Sequence, residues 1–161
     1  MKQILEEYTQ YNVWANEIII SFLIKLSSEQ INKEQLSSFT SIRKTVEHTA
    51  GAEHIWLKRI KGISDQENKA ASLENISSLS EFWIDQSNQF AEIIKQADGN
   101  RLMEIIVYKN LKGIPFETAL YKIVMHVMNH NTYHRGQLVT MLRAVGFTDL
   151  SSTDLISFYR L

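Results

Sequence analysis

His130 and His134 stand four residues apart in HVMNHNTYHRGQLVTMLRAVG, and His48 lies in TVEHTAGAEHIWLKRI. Four residues of helix advance about 400° and 6 Å, so the two paired imidazoles leave from one face. Rings so placed can close on a divalent ion at roughly 2.0–2.1 Å, and a second helix carrying His48 can supply a third nitrogen. Three His ligands on a tetrahedral ion leave one position for water or substrate, which is the arrangement of a catalytic site. The plainer alternative is a surface pair or a satisfied core histidine. Against it, His48 and His54, then His126 and His130, fall on potentially facing stripes of two helical segments, and His134 extends the second stripe.

Such side chains need helices to hold them, and apolar periodicity supplies four. The first runs from about Lys2 to Leu26, with Tyr8, Tyr11, Trp14, Ala15, Ile18, Phe22 and Leu26 on one stripe. SSEQINKEQLSSFTS follows as a polar connection with room for a short helical turn. The second helix starts at Ser41, a good N-cap, and passes through His48, Ala52, Ile55, Trp56 and Ile60 to a stop at Gly62. The polar linker ISDQENKAASLENIS leads to a third helix from about Ser80 to Ala97, ended by Asp98, Gly99 and Asn100. In LMEIIVYKNLKGIPFETA the β-branched run Ile105, Ile106, Val107, followed by Gly113 and Pro115, predicts a strand, a turn and a second short strand. The fourth helix spans about Thr118 to Gly146, and the tail FTDLSSTDLISFYRL docks a last turn through Leu155, Ile156 and Phe158. Short connections favour antiparallel neighbours, so the expectation is all-α: one domain over 1–161, an antiparallel four-helix bundle with a small β-hairpin inserted before the last long helix. Ala50, Gly51 and Ala52 beside His48 either leave room for an ion or ligand or let two helices pack closely.

Composition narrows the function classes. The chain has 161 residues, 44% hydrophobic and 22% charged, with net charge −1, so no basic field recruits nucleic acid or an anionic membrane. It contains no cysteine, which excludes disulfides and protein thiolates, and any sulfur chemistry needs a thiol brought in as substrate. The N-terminal stretch carries Glu6 and Glu7 and does not read as a signal peptide, and Ile18 to Leu26 is far short of a membrane span. The expected location is cytoplasmic.

HTAGAEHIWLKRI followed by HVMNHNTYHRGQLVTMLRAVG resembles the DinB family of damage-inducible proteins, within the wider DinB/YfiT-like group and unrelated to the DNA polymerase of that name. NLKGIPFETAL resembles the family's hairpin entering the last helix, and SSTDLISFYRL its closing Asp-containing segment. The NHxxxHRGQ signature is present as Asn129, His130, His134, Arg135, Gly136 and Gln137; Tyr133 stands where many members have another His. The resemblance implies a four-helix bundle, often a homodimer, in which His48, His130 and His134 bind a divalent metal such as zinc or nickel. It also implies a small-molecule substrate and one of two chemistries: metal-dependent hydrolysis, or transfer and isomerisation with low-molecular-weight thiols such as bacillithiol or mycothiol. An open three-His site suits both, because the ion lowers the pKa of water and holds a thiol as its thiolate. The other reading is a stress-associated metal-binding module without turnover.

The remaining candidates read as follows. The span from His126 to His134 is about 12 Å, too long for three rings to converge easily, so His126 is expected at the pocket wall or behind the ligands as a supporting partner. His54, roughly 120° from His48 around its helix, is a packing or surface residue. Glu47 and Glu53 point about 100° and 140° away from His48 and read as solvated helix residues; neither is a general base. Position 131 is Asn, so there is no HExxH and no zincin-type protease. Tyr133, Asn129 and Gln137 are candidates to orient ligands or substrate, and Arg135 reads as a surface or dimer-interface ion pair. Trp14, Trp56 and Trp83 lie on apolar stripes and read as core or interface residues.

Overall fold

In the computed structural model, which describes residues 1–63 and 67–161, the chain order is α1 (Lys2–Leu23), α2 (Ser28–Asn32), α3 (Ile42–Ile60), a 3-10 turn (Lys69–Ser72), α4 (Ile76–Gln96), α5 (Gly99–Met103), β1 (Ile105–Lys109), β2 (Pro115–Ala119), α6 (Leu120–Ala144) and α7 (Leu155–Phe158). Local chemistry sets the boundaries. Ser41 caps α3 by accepting from the Lys44 amide at 3.2 Å. Ser27 and Gln30 form a reciprocal capping box that starts α2 inside the polar connection. Asn75 accepts from Ser78 N at 2.9 Å, so α4 begins a turn before the expected Ser80. Asp98 accepts from Arg101 N at 2.7 Å, so the expected helix stop at 98–100 also opens α5. The longest helix, α6, ends where Gly146 takes φ +86 and the Phe147 amide reaches back to Leu142 O at 3.0 Å. Of the predicted linker at 63–77, residues 64–66 lie outside the described residues.

The four long helices form the bundle, and their order around its axis is not their order in sequence. α1 and α3 each pack against both α4 and α6, which leaves α1–α3 and α4–α6 as the diagonals. Chain-consecutive helices are therefore not all neighbours, as short connections had suggested. The connections at 24–41 and 97–119 both cross the bundle, and they carry α2 and the α5–hairpin unit respectively. β1 and β2 pair antiparallel, Ile105 opposite Ala119 through Lys109 opposite Pro115, with the proline at the first strand position where no ladder donor is needed.

The core has two apolar clusters. One gathers Leu57, Phe90, Ile94, Leu120, Ile123 and Val127 among others; the second gathers Ile19, Ile42, Val46, Leu79, Trp83 and Leu138. Polar side chains from all four long helices also meet inside the bundle. Glu53 on α3 is fully buried. Its Oε1 accepts from Asn12 Nδ2 (3.1 Å) and Asn16 Nδ2 (3.3 Å) of α1, from Trp83 Nε1 (3.3 Å) of α4, and from Asn131 Nδ2 of α6. Ser87 lies 2.8 Å from its other oxygen. Arg135, 2% exposed, donates to Asn12 Oδ1 at 2.7 Å and Asn16 Oδ1 at 2.9 Å and sits 5.1 Å from the Tyr11 ring.

Both of these charged residues correct the sequence reading. Glu53 is not solvated, and Arg135 is not at the surface. Glu47 is buried too, paired with Arg43 and Lys44 at 2.8 Å each. At the C-terminus Phe158 makes the docking contacts, 6.0 Å from the Tyr11 ring and 5.7 Å from Trp14, while Tyr11 Oη donates to Thr153 O. Leu155 and Ile156, expected to dock, face outward. Among the described residues no helix is long and apolar enough to cross a membrane.

Ser41→Ala removes the cap of the helix that carries His48. The expected cost is about 1 kcal/mol, seen as a lower urea midpoint at unchanged m-value.

Candidate metal centre

His48 on α3 and His130 and His134 on α6 come together where the two helices pack. His130 Nε2 lies 3.0 Å from His48 Nε2 and 3.1 Å from His134 Nε2, and the three ligand atoms fall within 4.8 Å of one another. Three nitrogens this close cannot all present lone pairs to one another without repulsion; a shared proton or a cation must lie among them. Ligand nitrogens on a tetrahedral zinc ion would stand about 3.4 Å apart, so the rings need spread by only a few tenths of an ångström to hold one. The donor set fits a divalent metal.

The surroundings favour neutral imidazoles, and for His134 they fix the tautomer. His134 Nδ1 donates to Gln137 Oε1 at 2.7 Å, and the Gln137 amide donates to Ser38 Oγ at 3.2 Å, which fixes the Gln orientation. With the proton on Nδ1, Nε2 is left as the ligand atom. Burial, reinforced by His134, pushes the His48 pKa down to about 4. Burial and then the neighbouring imidazoles do the same to His130, also to about 4. His134 is lowered as well, by burial against the opposing bond to Gln137.

One side of the cluster is covered by Phe39, whose ring stacks on His48 at 4.2 Å and approaches His134 at 5.7 Å. His48 and His130 also join Ala52, Ile55, Trp56, Arg59 and Leu111 in the wall of a cavity of about 330 Å³. The Arg59 guanidinium packs between the rings of Trp56 (4.5 Å) and Tyr108 (5.0 Å). The three small residues meet different surroundings. Ala50 is fully buried in the core, Ala52 borders the cavity, and Gly51 admits the Asn68 side chain. A Cβ on Gly51 would fall 2.1 Å from Asn68 Oδ1.

The other sequence candidates separate cleanly. His126 is exposed, packs on Trp56 at 5.4 Å and stays outside the cluster, at its rim. His54 bonds Gln86 at 2.9 Å and packs on Phe82, an ordinary structural role. Gln137 orients a ring as expected. Tyr133 is exposed with its ring against His134, and Asn129 is exposed. Trp83 is core, and Trp56, half-buried, packs against the core as expected while its ring also lines the cavity. Phe39, Asn68, Arg59 and Leu111 were not identified from sequence. All but Arg59 sit in segments read as polar or turn-forming, and only tertiary structure brings them to the histidines.

Fold and cluster together define a four-helix-bundle protein with three convergent histidines able to hold a divalent ion. The chain belongs to the DinB family, whose sequence profile matches residues 1–159. It is 26% identical over 146 residues to the protein DinB of Bacillus subtilis strain 168, covering 86% of this chain and 84% of that one. A DinB-like protein from Bacillus cereus ATCC 10987 superposes with TM-score 0.69 at 18% identity, over 90% of this chain and 95% of that one. YfiT from Bacillus subtilis, described as a probable metal-dependent hydrolase with an unusual four-helix bundle topology, superposes with TM-score 0.70 at 11% identity, over 92% and 91% of the two chains. At these identities the structural likeness establishes the fold.

The lowered histidine pKa values give a signed pH dependence. Between the unfolded value of 6.5 and about 4 the unfolded chain binds more protons at His48 and His130 than the folded one. The chelator-treated protein should therefore keep its full stability above pH 6.5 and lose stability as pH falls from there toward 4. Thermal melts across that range check it in a Glu53→Gln background, because burial raises the Glu53 pKa and gives the opposite slope; a Tm rising on acidification there would contradict the neutral cluster.

Proposed function

We propose that the protein is a metal-dependent enzyme in which His48, His130 and His134 hold a divalent ion, zinc or nickel, and a small electrophilic substrate is attacked by a low-molecular-weight thiol or by water. The observation that carries this reading is the convergence of three Nε2 atoms, two of them from His48 and His130 in the wall of a cavity large enough for a small molecule. When bound, the ion supplies Lewis acidity that makes a thiol or water nucleophilic at neutral pH. The likeness to YfiT supports the hydrolytic version, and the absence of cysteine is consistent with a thiol arriving as co-substrate.

The chain's own residues bind and orient. Gln137 keeps the His134 proton on Nδ1, away from the reacting side. Phe39 stacks over the His48 ring and lies beside His134, which limits the rotation of both imidazoles. Ala52, Ile55, Trp56 and Leu111 enclose the apolar body of the substrate. Arg59, packed against the Trp56 and Tyr108 rings, steadies that part of the wall.

Mass-spectrometric metal content should show one ion per chain in the wild type and none in His134→Ala. Cobalt-loaded protein titrated with bacillithiol, glutathione and related thiols should develop a thiolate-to-cobalt charge-transfer band that is absent from the variant. Full occupancy with no response to any thiol, but turnover of activated esters or amides, selects water as the nucleophile. Occupancy without either response would make the protein a non-catalytic metal-binding module.

Metal removal should leave the bundle folded, because its two apolar clusters form without the ion. Far-UV circular dichroism before and after chelation checks this. Cooperative unfolding on chelation would assign the ion a structural role and sink the catalytic reading.

A further inference from the structure

The buried polar network touches the same stretch of α6 as the histidine cluster. Asn131 follows His130 and Arg135 follows His134, so each candidate ligand is trailed by a residue about 100° further round the helix. Both trailing residues run into the bundle interior. Asn131 Nδ2 donates to Glu53 on α3 and, at 3.1 Å, to Asn12 Oδ1 on α1. Arg135 donates to Asn12 and Asn16, and to Thr132 Oγ1 at 2.8 Å. Glu53 itself lies on α3, the helix that carries His48.

We propose that Glu53, through Asn131 and Arg135, is the positioning device of the histidine cluster: it fixes the rotation of α6 about its own axis and so sets where His130 and His134 point relative to His48. The inference rests on the ligand assignment proposed above.

Geometry makes the rotation matter. At a side-chain radius of about 6 Å, turning a helix by 5° moves a ring tip by about 0.5 Å, the tolerance of a functional constellation. Apolar packing of Val124, Val127, Leu138 and Met141 resists translation, but it tolerates small rotations because methyl contacts are not directional. A carboxyl that accepts from named amides on two other helices is directional. Glu53 links α3 to α6 directly through Asn131, and indirectly through Asn12, which donates to Glu53 and accepts from Arg135.

Glutamine can take the place of the glutamate. Its Oε1 would accept from Asn12, Asn16, Trp83 and Asn131, and its Nε2 would donate to Ser87 Oγ, which can donate to Trp83 O at 3.1 Å. A protonated carboxyl makes the same pattern, and burial, opposed by the bonds from Ser87, Asn12, Asn131 and Trp83, raises the Glu53 pKa.

The test compares Glu53→Gln, Glu53→Ala, Asn131→Ala and, as a remote core control, Leu102→Ala, each measured where circular dichroism shows it folded. Two readouts are taken: cobalt affinity with its d–d spectrum, and nuclear Overhauser contacts between the His48 and His130 rings in metal-free protein. We expect Glu53→Gln to keep the wild-type spectrum and ring contacts. Asn131→Ala should bind cobalt roughly 10- to 100-fold more weakly, with a changed d–d envelope and lost ring contacts. Leu102→Ala should lose stability yet keep both site readouts. If Glu53→Ala does not fold, Asn131→Ala alone decides. Should Asn131→Ala keep the wild-type spectrum and ring contacts, or should Leu102→Ala disturb them equally, Glu53 is only a core residue and the inference is overturned. If the wild type binds no cobalt the functional reading fails by itself, and the ring contacts in metal-free protein still decide the positioning role.

Discussion

A carboxyl inside a bundle must be satisfied, and that requirement organises this structure. Left without partners, the Glu53 side chain would cost several kcal/mol in the low-dielectric interior. Here every long helix contributes to satisfying it: Asn12 and Asn16 from α1, Trp83 and Ser87 from α4, Asn131 from α6. Only one alignment of the helices brings all these donors to one carboxyl. Rolling a helix even slightly would leave the acid and several amides unpaired, whereas purely apolar faces tolerate small rotations. The layer accounts for the two asparagines in the middle of α1, which are indifferent helix formers and would otherwise weaken it.

The same topology that aligns the helices builds the walls of the candidate site. Both connections that cross the bundle diagonally deliver residues to the histidines. The segment joining α1 to α3 lays Ser38 against Gln137 and Phe39 over His48. The segment joining α4 to α6 folds into the hairpin that brings Leu111 to the cavity and sets Tyr108 against Trp56 and Arg59. The α3-to-α4 connection adds Asn68, seated over Gly51 because that residue has no Cβ. A bundle with only tight turns would place the three imidazoles at a bare groove. Here the connections enclose them.

What the sequence made legible was whatever repeats or caps locally. The helical period placed the long helices, Ser41 marked the start of α3, and the four-residue step put His130 and His134 on one face. The strand and turn chemistry of 105–119 showed the hairpin. What stayed hidden depended on partners from other helices. A glutamate five residues after His48 and an arginine after His134 look solvated on helical wheels, since charge is usually outside; their burial follows only from asparagines and a tryptophan elsewhere in the chain. The position of Asn131 between two ligands was read only as the absence of a protease motif, although its amide joins α6 to both α1 and α3. The diagonal order of the bundle was likewise invisible, because connection length does not specify which neighbour a helix reaches.

The charge arrangement bears on what an ion at this centre would accept. Three neutral imidazoles bring no negative charge to a divalent cation. The cavity wall that His48 and His130 share with Ala52, Ile55, Trp56, Arg59, Asn68 and Leu111 includes no carboxylate among the described residues. Glu53, the nearest candidate by sequence, turns its oxygens toward the asparagines and Trp83 inside the bundle, and its raised pKa leaves it poorly suited to offset charge. In a partly dehydrated pocket an uncompensated cation draws an anionic fourth ligand more strongly than a neutral one, because Coulomb attraction grows as the effective dielectric falls. A site built with carboxylate ligands would blunt that preference. Three histidines leave it in place, which favours a small acidic nucleophile that binds as its conjugate base, and this is the common requirement of the thiol and water chemistries proposed for the cavity.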